Sequence, residues 1–389
     1  MIKAFTAYSS EIDDTDITVS DIVSGIGLDN LLKNSIGLLS CHSEFVESEA
    51  VSEVCAALPF PVIGTTSINT AVRGSEGNFL LTLLVLTSDD VSFEVNLTES
   101  ITAPDLSVIK SAYDETLKKL GETPKLIISY APILVPVSSD FMVDSFSKAS
   151  GGIPNFGTLA CDHTGDYHTS SVIYNGETFT DRYAFALVAG DVSPNFYCAS
   201  ISGDRIFEKK GVVTDSEGNL LRAINNLNVP QYMQSIGMTM SKDSIVQGIN
   251  SFPFVIDYGD GSDPVVRVPF SVNEQGHAVC AGDIPKDAII SISSIDSEEV
   301  MRTSSDALAN MRGITDKSAF LIYSCIGRYF GLGDSPHAEI EKTQEELCES
   351  AAVYQLTYSG TELCPVYFGS DKSKVINRSH NMTYVVCAL

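Results

Sequence analysis

Basic residues are scarce in this chain of 389 residues: 24 Lys and Arg stand against 50 Asp and Glu, a formal net charge of −26. A surface this negative repels phosphate backbones and anionic lipid, so no nucleic-acid partner and no membrane insertion are expected. Long apolar runs are also missing. The longest clean one, Phe79 to Leu86, is strand-sized and far short of the roughly 18 residues of a membrane span. The opening Met1-Ile-Lys-Ala-Phe-Thr-Ala-Tyr8 lacks the apolar core of a signal peptide, which makes a cytoplasmic location the expectation. Nine cysteines, an odd number, include no C-x-x-C pair. That argues against a disulfide scaffold and a structural zinc site. Cys41, Cys325 and Cys387 lie in or at the end of apolar runs and read as small buried residues. There is no phosphate-binding G-x-x-x-x-G-K-[ST], no G-x-S-x-G nucleophile elbow and no H-E-x-x-H. Gly25-Ile-Gly27 lacks the third glycine and the preceding strand of a dinucleotide fingerprint. No cofactor and no metal are therefore expected.

What the chain does contain is a recurrence. Ile36 to Cys41 reads as a strand, Glu44 to Leu58 as an amphipathic helix, and Pro61-Val-Ile-Gly64 as the next strand. The order returns at Leu126 to Tyr130, Ser139 to Ala149 and Ile153 to Thr158. It returns again at Phe320 to Cys325, a helix opened by Ser335-Pro336, and Val353 to Tyr358. Hairpin strands are expected after each unit: 79–86 with 91–97, and 171–174 with 179–188 around Asn175-Gly176. A strand-rich stretch follows from about 195 to 293, then a helix at 296–311 with Asp296 and Glu299 spaced as a capping box. The expected fold is α/β: two domains with mixed sheets built from β-α-β units followed by hairpin strands. Gly190-Asp-Val-Ser-Pro194 breaks the pattern and puts the boundary at 1–192 and 193–389.

Few residues carry chemistry on their face. Cys161-Asp162-His163-Thr-Gly-Asp166-Tyr-His168 mixes soft and hard ligands in no standard metal spacing, and a loop beside a ligand pocket explains the same composition. Cys325 and His380 are a conceivable nucleophile and base, but no third group is evident to orient them. Arg328 follows a strand end, where ligands of open α/β sheets bind, and its planar fork suits a carboxylate. An ion pair with Glu339 or Glu341 is the equal alternative. Glu362, in a Ser-Gly-Thr-Glu turn, either meets a ligand ammonium or caps local amides.

Gly211-Val-Val-Thr214 with Gly218-Asn219, Cys325-Ile-Gly-Arg328, Ser359-Gly-Thr-Glu362-Leu-Cys-Pro365 and His380-Asn381-Met-Thr383 stand in an order that resembles the C-terminal half of FIST domains, named for F-box and intracellular signal transduction proteins. Ser40-Cys41 with Pro61 to Thr66, and Phe156 to Asp162, resemble the N-terminal half, with Thr65 in place of a family cysteine and Thr158 and Cys161 in place of glycines. The resemblance implies a small-ligand sensor, with amino acids or related carboxylates as the suspected ligands and a signalling protein as a possible partner, rather than an enzyme. An enzyme of unrecognised type at the same interdomain cleft and a protein-interaction scaffold are the competing readings. The expected ligand-binding residues are Gly64, Thr65, Thr66, Gly157, Asp162, Arg328, Tyr358, Gly360, Glu362 and Asn381.

Overall fold

A computed structural model describes residues 1–134, 137–164, 167–238, 252–368 and 371–389, the side chains of 371–373 excepted. The first unit runs through β1 (Lys3–Ser9), α1 (Thr15–Ile26), β2 (Asn34–Cys41), α2 (Glu44–Glu47), α3 (Ala50–Ala57), β3 (Val62–Thr66), β4 (Asn69–Val72), β5 (Ser75–Gly77) and β6 (Leu81–Ser88). The second repeats that order: β7 (Val91–Leu97), α4 (Leu106–Leu120), β8 (Pro124–Ala131), α5 (Ser139–Ser150), β9 (Asn155–Leu159), β10 (Val172–Tyr174), β11 (Glu177–Phe179) and β12 (Ala184–Gly190). The third opens with β13 (Asn195–Ala199) and is then interrupted. The insertion holds β14 (Ile206–Glu217), β15 (Leu220–Ile224), α6 (Val229–Ser235), β16 (Phe254–Asp257), β17 (Val265–Arg267), β18 (Pro269–Val272), β19 (Ala278–Cys280) and β20 (Ile289–Ser293). The unit resumes with α7 (Ser297–Arg312), β21 (Ala319–Cys325), α8 (Ile326–Gly331), α9 (Ala338–Leu347), β22 (Val353–Ser359), β23 (Glu362–Phe368), β24 (Asp371–His380) and β25 (Tyr384–Ala388).

The units exchange hairpins in a ring. Each forms a four-stranded core: β1-β6-β2-β3, β7-β12-β8-β9 and β13-β25-β21-β22. In each core the inner pair, β2/β3, β8/β9 or β21/β22, is parallel. Hairpin β4–β5 leaves the first unit to extend the third sheet, β10–β11 leaves the second for the first sheet, and β23–β24 leaves the third for the second. The Gly190–Pro194 link falls between β12 and β13, and hairpin exchange joins sheets on either side of it. The insertion makes a separate seven-stranded sheet.

The apolar runs are continuous because these strands are buried on both faces. Along β8, Leu126, Ile128 and Tyr130 face a core shared by all three sheets, while Ile127 and Ala131 face α4 and α5. Along β21, Leu321 and Tyr323 face the shared core, while Phe320 and Ile322 face α7 and α9. Period-two alternation thus splits one apolar run between two cores.

Some expectations need correction. The 79–86 and 91–97 segments are no hairpin: β6 is the antiparallel neighbour of β1 and β2, whereas β7 begins the next unit as an edge strand. The 171–188 segment splits, with β10 and β11 forming the tight hairpin. Asn175 and Gly176 both adopt positive φ (50° and 89°), as that turn requires. The helix expected over 44–58 is broken at Glu49, which sits at φ 66°. Asp296 caps α7 by accepting from the Glu299 amide. Glu299 itself turns to the Ser202 amide and Arg302, so the reciprocal half of the box is not made.

Candidate functional site

The strands β3, β9 and β22 are equivalent in their units, and their carboxyl ends meet because each is followed by a hairpin that crosses to another sheet. The Cys161 amide donates to the Thr66 carbonyl (3.2 Å), the Gly360 amide to the Leu159 carbonyl (2.9 Å), and the Leu159 amide to the Thr361 carbonyl (2.9 Å). The Cys161 thiol donates to the Tyr358 carbonyl at 3.3 Å, and the Thr158 and Ser359 hydroxyls bond to each other. The structure therefore brings Thr66, the 157–162 segment and the 358–362 turn together. Gly64 and Gly157 serve close strand approach there. A Cβ on Gly64 would lie 2.1 Å from the Leu39 carbonyl oxygen, and one on Gly157 1.9 Å from that of Ser129. Thr65 is buried, and its hydroxyl donates to the Thr66 carbonyl.

Glu362 opens β23 at this junction, opposite Thr158 on one side and His380 on the other. Its side chain is fully buried. Oε2 accepts from the Thr383 hydroxyl at 2.9 Å, whereas Oε1 is buried without any hydrogen-bond partner among the described residues. Burial pushes the carboxyl well above the usual range, against the pull of the Thr383 hydrogen bond and Arg328. Cys325 lies close by, its Sγ 3.6 Å from the Gly360 carbonyl oxygen. Its thiol is driven up by burial first and by Glu362 second. Asn381 braces the turn: its amide donates to Thr361 Oγ1 (3.3 Å), and its Oδ1 accepts from the Val268 amide of the insertion (3.2 Å).

Arg328 lies inside α8, and its guanidinium is engaged on every side by protein. Nε and Nη2 contact Glu339 Oε1 at 3.0 and 2.6 Å. Nη2 also donates to the Val300 carbonyl and Ser304, and Nη1 to Thr303 and the Met382 carbonyl. Both partners of the pair are fully buried. Glu339 is completed by the hydroxyls of Ser304, Ser324 and Tyr358. Burial alone would raise its pKa, but Arg328 and these hydroxyls hold it below the usual value. The ion-pair alternative thus describes Arg328, and no guanidinium edge is left for a ligand carboxylate. Tyr358 belongs to the same network.

Asp162 closes its own loop. Oδ1 accepts from the Thr164 amide and hydroxyl (2.8 and 2.6 Å), and Oδ2 from those of Thr169 (2.7 and 2.6 Å). Burial would raise its pKa, but these four hydrogen bonds prevail and hold it down. Beside it, His42 stacks on His163 at 4.6 Å and lies 4.5 Å from Phe79. Asp166, part of the alternative metal reading, lies outside the described residues. Among the described residues no cluster of three or more His, Cys, Asp or Glu could hold a metal ion. His380 does not address Cys325: its Nδ1 faces Cys198 at 3.7 Å. Two of the cavities among the described residues lie elsewhere. One of about 570 Å³ is lined by residues including Arg312, Lys317 and Glu346, and one of about 300 Å³ lies beside Ser9 and Asp21.

The model of the FIST N domain matches residues 35–227, and that of the FIST C domain matches 230–365. The chain belongs to the FIST family. FIST domains are ligand-binding modules of signalling proteins, and this one is α/β in both halves. The match of the N domain runs through the strand-end loops of the first two units into the insertion; the match of the C domain takes in Arg328, Tyr358 and Glu362. No curated protein matches the chain by sequence. A solved structure, cyanuric acid hydrolase from A. caulinodans, aligns over 100% of this chain and 99% of its own at 8% identity. Its TM-score is 0.37, too low to carry an argument. No helix among the described residues of this FIST protein is long and apolar enough to cross a membrane. Sequence reasoning passed over Thr383, which it quoted only as part of a motif, and Cys198, a single cysteine in a strand with no local signal.

Proposed function

We propose that this FIST protein is a cytoplasmic small-ligand sensor whose ligand meets Glu362 where the three strand ends converge. The observation that carries this reading is the orphaned Glu362 Oε1. Buried polar atoms in folded proteins almost always have partners, and leaving one without costs about 1–3 kcal/mol. An atom of that kind in a family signature turn is suited to a ligand donor, and an ammonium is the strongest one. An amino acid or a close relative supplies it. The carboxylate of such a ligand has to be met by groups other than Arg328, whose partners are internal. Nine unpaired cysteines suit a reducing cytoplasm.

The test is a thermal-shift screen of amino acids, other amines and plain carboxylates against the wild type and Glu362→Gln. A ligand at about 100 times its dissociation constant adds roughly 2.7 kcal/mol. The reading expects a shift with an amine-bearing ligand that Glu362→Gln removes while the fold is kept. Equal shifts in both proteins, or shifts with plain carboxylates alone, would overturn it.

A further inference from the structure

On the edge strand β13, Cys198 is only partly buried, and its Sγ lies 3.7 Å from His380 Nδ1. The other ring nitrogen, Nε2, lies 3.0 Å from the Cys364 carbonyl oxygen. A carbonyl only accepts, so Nε2 carries the proton and Nδ1 is left to take the one on Cys198. Cys364 completes the group. Its strand β23 packs against β13, and its Sγ is 4.0 Å from the carbonyl oxygen of Tyr197, the residue before Cys198. Both sulfurs border the core shared by the three sheets. Asp263 adds negative charge that opposes a thiolate at Cys198, and Glu362 is close enough to feel that thiolate. Cys364 and His380 nevertheless prevail and hold the Cys198 thiol well below its ordinary range. Burial and Cys198 push Cys364 the other way. A half-buried thiol facing a ring nitrogen, with a fully buried thiol on the adjoining strand, is the arrangement of an attacking and a resolving cysteine.

We infer that Cys198 and Cys364 form a hydroperoxide-reactive pair, with His380 as the base that takes the Cys198 proton. The Cys198 thiolate attacks the terminal oxygen of a hydroperoxide. The O–O bond breaks, and the alkoxide leaves with its electron pair and takes the proton held by His380, becoming an alcohol. Cys198 is now a sulfenic acid. The Cys364 sulfur attacks it, the S–S bond forms and the S–O bond breaks. The departing hydroxide takes the Cys364 proton as water. Two thiols lose two electrons in all, and the hydroperoxide is reduced to alcohol and water. The disulfide would join β13 of the third sheet to β23 of the second, beside the Glu362 turn.

Cys348, the exposed cysteine, is an internal reference. The folded chain is treated with one equivalent of hydrogen peroxide, and the thiols are mapped by peptide mass spectrometry. Cys198 is expected to react at least about tenfold faster than Cys348, as a thiolate-forming cysteine does, and to be recovered linked to Cys364. Cys364→Ser should stop at a sulfenic acid trapped by dimedone, and His380→Asn should slow Cys198 near neutral pH about tenfold. Oxidation of Cys348 first with Cys198 and Cys364 left reduced, or oxidation of Cys198 without linkage in the wild type, would overturn the inference. Both outcomes are read on the unmutated protein.

Discussion

Replacing Arg328 with Met separates the two roles open to that residue. Met fills most of the aliphatic volume but leaves Glu339 at the centre of a fully buried network with no counter-charge. Removing one partner of a buried pair typically costs about 3–5 kcal/mol. The hydroxyls of Ser304, Ser324 and Tyr358 still solvate Glu339, which argues for the lower end. The loss also takes a donor from the Met382 carbonyl, whereas the Val300 carbonyl keeps the Thr303 and Ser304 hydroxyls. An unmet buried acceptor adds up to about 1–3 kcal/mol if it cannot relax. The expected destabilisation is therefore on the order of 3–5 kcal/mol, read as a lowered urea midpoint. The double variant Arg328→Met with Glu339→Gln should recover much of it, because the stranded charge is gone. A single variant as stable as the wild type that had lost its ligand response would refute this reasoning and return Arg328 to the ligand.

Other predictions follow from single contacts. The Asp283 carboxyl is raised to about 6, by burial first and by Asp140 second. Its folded pKa lies above the unfolded value of about 3.9, so its contribution is greatest below pH ~4 and is lost as pH rises to about 6. Asp283→Asn should therefore be more stable than the wild type at pH 7 by about 1 kcal/mol, allowing for screening at a partly exposed site, with the advantage gone at pH ~4; melting curves at both pH values check this. Gly157→Ala should be severely destabilising, since its Cβ would sit 1.9 Å from a carbonyl oxygen, whereas at Gly360 the nearest atoms are 3.3–3.4 Å away. Soluble yield and melting temperature of the two alanine variants should rank accordingly. Asp140→Ala strands the fully buried Arg267, which also bonds the Ser379 carbonyl and Tyr258, and should loosen the insertion from the second unit by about 3–5 kcal/mol. Faster amide exchange across β16 and β17 would show it.

The threefold recurrence was legible because strands buried on both faces read as unbroken apolar runs: 36–41, 126–130 and 320–325 all lie within β2, β8 and β21. The ring of exchanged hairpins was not. Whether a hairpin pairs with its own sheet or a neighbouring one is decided by contacts far apart in the chain, and β4 pairing with β22 leaves no local mark. At the site, the turn around Glu362 was visible as a motif, and Arg328 was visible with both its roles open. Charge type alone cannot say which acid faces an arginine; the choice of Glu339 rests on α7 packing against both α8 and α9, which brings the two side chains together. Ser335-Pro336 pointed to α9, which begins at Ala338, but nothing in the residues announced the short α8 that carries Arg328.

The central claim is that a ligand ammonium ionises Glu362. In the free protein its carboxyl is held well above the usual range by burial. Binding a cation beside Oε1 must lower that pKa and release a proton. Isothermal calorimetry of the amine ligand found by the screen, repeated in buffers of different ionisation enthalpy at several pH values, measures this directly. The account predicts protons released on binding, affinity that rises with pH, and neither effect in Glu362→Gln. Binding with no proton release and the same affinity across that range would contradict it.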